Sequence, residues 1–213
     1  MSNFREGFVL GLYTISTATI LDNTISINYT KDFIKKNTDL YIKGLRANYL
    51  NLLVLSPIYY TCATNYLANV TTKTKSLYVI DYTLLVLIHN MLYYLAHKNM
   101  HLIPQLRNMH NFHHLFKNPV ASSANAVSTS EFTFAYILPF IFGMFCVRPN
   151  IYTLKCAIMT ISYFNLFIHC PNFKDIRFPK YLVSPGQHFI HHESQRGTYS
   201  APLLNIDKML ESK

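Results

Sequence analysis

Residues 84–114 read LLVLIHNMLYYLAHKNMHLIPQLRNMHNFHH. An uncharged apolar run passes there directly into a region where histidines recur at helical spacing, and this junction decides the fold class. The run belongs to a longer stretch, 76–97, interrupted only by Asp81 near one end and the His89-Asn90 pair inside. That stretch meets the requirement of about 20 mostly apolar residues for a membrane-crossing helix. His97 and His101 follow at i and i+4, on one face of the same helix and one turn apart.

Outward from this stretch the chain continues the pattern. Residues 47–70 carry no charge and read as a second spanning helix. Residues 132–147 and 150–169 read as a helical hairpin, joined by the turn-forming Arg148-Pro149-Asn150. The first arm is short and the second carries Lys155, which leaves room for a shallow or re-entrant hairpin. Residues 7–21 are apolar but rich in Thr and Ser, and remain undecided or interfacial. Half of the 213 residues are hydrophobic and 14% are charged, against about a quarter charged in soluble domains. The expected fold is therefore all-α, an integral membrane helical bundle of about four embedded helices with a cytosolic histidine-rich metal-binding cap. The expected division is an N-terminal cytosolic or interfacial segment, 1–46, followed by one membrane domain, 47–213.

Charge tests that topology independently. If two helices and then the hairpin each return the chain to its starting side, segments 31–46, 98–131 and 170–213 share a side. They hold fourteen Lys and Arg, against Lys73, Lys75 and Arg148 on the other side. The positive-inside rule places the fourteen in the cytosol. The net charge of +9 is spread between apolar runs rather than along one stripe, so no nucleic-acid partner is expected. Cys62, Cys146, Cys156 and Cys170 have no zinc-like spacing and read as reduced, packed residues. The amino terminus shows no cleavable signal pattern. Asn69-Val-Thr71 has the glycosylation pattern but sits almost at the membrane.

Nine of the ten histidines fall at the cytosolic ends of these spans. HxxxH at His97 and His101 is followed by HxxHH at His110, His113 and His114, then His169 at the end of the hairpin, then HxxHH at His188, His191 and His192. Within each HxxHH, i, i+3 and i+4 are expected on one helix face. Imidazole suits iron, zinc, copper or nickel. A lone HxxxH is weak, but two HxxHH groups gathered by one topology make a metal site the natural reading. Nine exceed the three or four ligands of a zinc site and can surround two metals, of which iron can activate oxygen. Carboxylates near the boxes are scarce (Glu131, Asp175, Glu193), so histidine carries the site. His89 lies two turns before His97 on the same face. An ionisable residue there should face the bundle interior, either as a hydrogen-bond partner behind a ligand or in a substrate pocket.

These boxes, with the first two only nine residues apart, resemble the sterol desaturase and fatty acid hydroxylase superfamily. Membrane acyl-CoA desaturases share the box types but separate the first two further. The resemblance runs from about residue 85 to 210 and includes Tyr94, Pro104, Tyr199 and the Ile206-Asp207-Lys208 tail. It implies an endoplasmic reticulum protein with a histidine-bound two-iron centre, zinc being able to replace iron in preparations. It also implies oxygen, and electrons from NAD(P)H through a reductase system with a cytochrome b5 type partner. By resemblance His97, His101, His110, His113, His114, His169, His188, His191 and His192 are ligands, with no catalytic residue beyond them. Several positions depart from the family pattern. Ser128 and Asn165 stand where many members carry histidines, Lys98 replaces a usual arginine and Asn90 a common acidic residue. Ser128 and the single late histidine resemble the cholesterol 25-hydroxylase branch, which also lacks those two histidines. Ser128 and Asn165 are thus expected beside the ligands or in the substrate pocket. The expected function is hydroxylation or desaturation of a sterol or fatty-acyl lipid. An inactive lipid-binding or regulatory homologue and a zinc-dependent membrane hydrolase are the competing readings. Neither an HExxH motif nor an obvious carboxylate base supports the hydrolase.

Overall fold

The computed structural model describes residues 2–68 and 75–211. The chain is 79% helical, with no strand among the described residues, which makes the fold all-α. Three helices are long and apolar enough to cross a membrane: Leu77–Leu102, Thr129–Val147 and Ile151–Ile168. At most 39% of any of them is buried inside the protein. Their outward faces carry large apolar side chains such as Leu84, Leu87, Phe142, Phe145 and Tyr163, as a lipid environment requires. Cys62, Cys146 and Cys156 are free as expected, yet exposed on such surfaces rather than packed; only Cys170 is buried.

The expected span at 47–70 corresponds to part of a continuous helical run, 38–67, made of α3 (Thr38–Tyr49), a π-turn (Leu50–Leu55) and α4 (Ser56–Leu67). Its polar residues keep it out of the apolar set. Asn48 and Asn51 point inward and donate to backbone carbonyls of Ser122 and Val127. Asn69 to Thr71 and Lys73 fall outside the described residues. The undecided stretch 7–21 is the greater part of a helix, α1 (Ser2–Ile20), packed along α4 and the π-turn. Close approach is possible because Gly7 and Gly11 face that contact. A Cβ on Gly11 would collide with the Leu52 carbonyl oxygen, and one on Gly7 would lie 2.8 Å from Pro57 Cα. This is the small-xxx-small packing common between membrane helices. A short amphipathic helix, α2 (Ile27–Lys36), follows.

The long helix α5 (Lys75–Leu102) forms the spine and packs against α8 (Leu138–Val147) and α9 (Ile151–Ile168). The hairpin turn is as read: Arg148 takes a left-handed conformation at φ 49°, and the Asn150 side chain accepts from the Tyr152 and Thr153 amides as an N-cap. The helix Thr129–Val147 begins with α7 (Thr129–Glu131), passes through a π-turn (Phe132–Ile137) and continues as α8. These two π-turns, unlike a third at Leu21–Ile25, end just before a proline, Pro57 and Pro139. Proline has no N–H to donate and its ring crowds the carbonyl four residues back, so the helix widens locally. The widened turns point Leu52, Phe132, Tyr136 and Ile137 into one cavity.

Candidate metal centre

His97 and His101 lie in the last turns of α5, at the end of the first of the three apolar helices. The next box departs from expectation. Helix α6 (Pro104–His110) stops at His110, and a turn through Asn111-Phe112 leads into a 3-10 turn, His113–Leu115. His110, His113 and His114 therefore do not share one helical face, and the break sends them in two directions. In α10 (Pro185–Ser194) the helix is unbroken, started by Pro185 after a Ser184–Gln187 capping box. Here His188 and His192 face one way while His191 faces another.

The structure brings all nine predicted histidines together, in two groups. His97, His101, His110, His114 and His191 form one; His113, His169, His188 and His192 form the other. All nine are buried, and within each group the candidate ligand atoms lie within 4.8 Å of one another. The groups abut, with the rings of His114 and His192 5.1 Å apart and those of His110 and His113 5.4 Å apart.

Within the first group, His97 Nε2 lies 2.9 Å from His110 Nε2, 3.2 Å from His101 Nε2 and 3.2 Å from His191 Nε2. In the second, His169 Nε2 lies 3.4, 3.0 and 3.2 Å from the Nε2 atoms of His113, His188 and His192. A ring nitrogen offers either one N–H or one lone pair, so three such neighbours cannot all be hydrogen bonds. Two nitrogens on one metal at about 2.0–2.1 Å are separated by about 2.9 Å at a right angle and about 3.4 Å at the tetrahedral angle. The observed spacings fill that interval, so the residues present fit two metal ions.

Groups behind the rings set their tautomers. His97 Nδ1 donates to the Tyr199 carbonyl at 2.7 Å, and His169 Nδ1 donates to the Asn165 carbonyl at 2.7 Å. His110 Nδ1 meets the buried Glu131 Oε1 at 2.6 Å. A carbonyl can only accept, so the proton is on Nδ1 and the Nε2 lone pair is free to face inward. The Tyr199 carbonyl is itself fixed, because Asp207 Oδ2 accepts from the Tyr199 and Ser200 amides and the Ser200 hydroxyl. Burial, and then the neighbouring rings, hold His110, His113, His188 and His192 well below the ordinary imidazole value. Burial lowers His114 and His169 to about 4. All six are neutral at pH 7, the form that binds metal.

The segment that follows the second box is buried from Pro119 to Val127, and a buried loop must have its backbone polar groups met. Asp22 accepts from the Ala121 and Ser122 amides, while Asn48, Asn51 and Asn165 donate to the Ser122, Val127 and Ala124 carbonyls. The amino-terminal helices thus hold the box region in place. Ser128 does not face the histidines. It caps α7, accepting from the Glu131 amide and donating to the Met109 carbonyl. Asn165 and His89 both line the cavity bounded by the π-turns.

Sequence reasoning passed over Glu131 as a functional group, although Ser128-Thr-Ser-Glu131 is a capping-box pattern that marks a helix start. The Tyr199 contact uses a backbone carbonyl and has no side-chain signal. The fatty acid hydroxylase family model matches residues 82–212. The chain belongs to that family. All nine histidines lie inside the matched region of this fatty acid hydroxylase family member, whereas α1 and the run 38–67 lie outside it. Neither curated proteins nor solved structures give a match.

Proposed function

We propose that this protein is an oxygen-dependent lipid hydroxylase or desaturase that holds two iron ions, one in each histidine group. The observation that carries the reading is the division of nine inward-facing imidazoles into sets of five and four at metal-ligand spacing. Bound iron supplies the activation of oxygen that no side chain provides. In hydroxylation one oxygen atom enters the C–H bond and the other leaves as water, with two electrons and two protons delivered from outside. Desaturation instead removes two hydrogens and releases both oxygen atoms as water, with the same delivery. An NAD(P)H-linked reductase and a cytochrome b5 type protein are the proposed electron source.

The chain's own residues hold the ligands neutral, fix their tautomers and present the substrate. The cavity between α4, α5, α8 and α9 is walled by apolar residues including Tyr60, Phe132, Phe140, Met144, Leu154 and Ile161. Its inner end reaches the site twice. Tyr93 lines it and packs on the His97 ring at 5.4 Å, and Asn165 lines it while its carbonyl holds His169. A lipid chain or ring body lying there would place a C–H bond beside the metals with water excluded. The substrate is proposed to be a sterol or fatty-acyl lipid. The membrane is proposed to be the endoplasmic reticulum, with the histidines facing the cytosol.

The test joins two measurements: metal content of the purified protein, and the lipid products of cells expressing it. Two irons per chain with a new hydroxylated or desaturated lipid supports the reading. Metal present with no oxidised lipid, when oxygen and reductant are supplied, would leave an inactive lipid-binding homologue instead. For orientation, protease access to the His188 region in sealed microsomes is expected, and full protection would place the site on the other side.

A further inference from the structure

The ring of His89 is completely buried in the middle of α5, and neither of its nitrogens has a hydrogen-bond partner. The backbone of Tyr136 is near but outside hydrogen-bonding geometry. The ring packs on Phe140 at 4.3 Å and on Tyr93 at 6.2 Å, and it lines the apolar cavity. Leaving a buried polar group unpaired costs about 1–3 kcal/mol. A leucine or phenylalanine at this position would avoid that cost, so the imidazole calls for a partner that enters the cavity.

We infer that His89 is the polar anchor of the lipid site and binds a hydroxyl group carried by an otherwise apolar molecule. This deepens the lipid-oxidation reading and rests on it for the identity of the cavity as a substrate site. A neutral imidazole offers one donor and one acceptor. A hydroxyl can serve either nitrogen whichever tautomer is present, whereas a carbonyl serves only the N–H. His89 precedes His97 by eight residues of continuous helix, about 12 Å along the axis at 1.5 Å per residue. Anchor and metals therefore define a ruler. The molecule is held by its hydroxyl at one point and presents to the histidine groups a carbon about that distance away. A sterol hydroxyl and the hydroxyl of a long-chain alcohol share this chemistry.

The test measures binding, so it does not depend on turnover. Purified full-length protein in detergent is titrated with radiolabelled cholesterol and 1-hexadecanol, and in parallel with the same skeletons lacking the hydroxyl, 5-cholestene and hexadecane. At least one alcohol is expected to bind about tenfold more tightly than its hydrocarbon. His89→Phe should bring that ratio close to one, and His89→Gln, which keeps a donor and an acceptor, should retain part of it. Metal content is measured in all three proteins and should be equal. The alcohol that shows the preference identifies the source of the hydroxyl. The inference is overturned if neither alcohol is preferred by the unmodified protein, a result that needs no variant to fold, or if His89→Phe keeps the full preference. Preserved alcohol preference without any lipid oxidation would instead count against the enzyme reading alone.

Discussion

His110 and Glu131 meet at 2.6 Å with both side chains buried, the only carboxylate contact to any of the nine histidines among the described residues. Glu131 reaches this position because Ser128 caps its helix, so a residue standing where the family often has histidine still serves the site, one step removed. The carboxylate fixes the His110 ring and raises the basicity of its Nε2. Carboxylates behind a ligating histidine are worth about 10- to 100-fold in metal affinity or activity. Glu131→Gln is expected to lower affinity for the metal of the five-histidine group within that range, read by competition with a chelator, while the other metal is retained. Unchanged affinity for both metals would remove Glu131 from the site.

The two histidines of the His113-His114 dipeptide belong to different groups. His113→Ala removes one of four candidate ligands and His114→Ala one of five. We expect His113→Ala to end lipid oxidation and to cut metal content from two to about one per chain. The protein should stay membrane-inserted, because insertion depends on the apolar helices. His114→Ala should retain more metal, since four ligands remain in its group. Equal product profiles for His113→Ala and the unmodified protein would sink the enzyme reading.

The box spacing made the site legible, and the apolar runs made the membrane bundle legible, because both are local periodicities. The distribution of ligands between two groups was not. HxxHH does not say which group each ring joins: α6 stops at His110 and the chain turns before His113, and α10, though it continues through His192, still sends His191 to the other group from His188 and His192. The cavity was equally hidden. It depends on two π-turns next to Pro57 and Pro139 and on long-range packing of α4 against α8, none of which has a period to read. His89 was visible as a polar residue in an apolar helix, and its lack of a partner required the fold.

In the metal-free protein, stability should depend on pH through the buried imidazoles. His114 and His169 are lowered by burial from 6.5 to about 4. The folded state then binds fewer protons than the unfolded state below pH 6.5, so acid favours unfolding. The contribution of these groups is full above about pH 6.5 and declines as pH falls toward 4. Chelator-treated protein should show a thermal midpoint that is level from pH 8 to 7 and falls between pH 6.5 and 4.5. Metal should raise the midpoint at pH 7 and be released across the same acid window. A midpoint independent of pH through that window would mean the imidazoles are more hydrated than their burial implies.

The contact of Gly11 with the Leu52 carbonyl tests whether α1 supports the apolar cavity, since Leu52 lines it and α1 lies outside the family match. A side chain at Gly11 meets backbone rather than a movable side chain, so α1 must shift or the π-turn must distort. Overpacking of this kind costs about 1–3 kcal/mol. Gly11→Leu should therefore lower the thermal midpoint more than Gly11→Ala, and should weaken binding of the lipid probes as Leu52 moves. The metal groups are built on α5, α6, α9, α10 and the 113–115 turn, so metal content should stay at the unmodified level in both variants. A Gly11→Leu protein with an unchanged midpoint and unchanged lipid binding would show that α1 is dispensable to the cavity. Loss of metal together with lipid binding would show instead that α1 and the histidine groups form one cooperative unit.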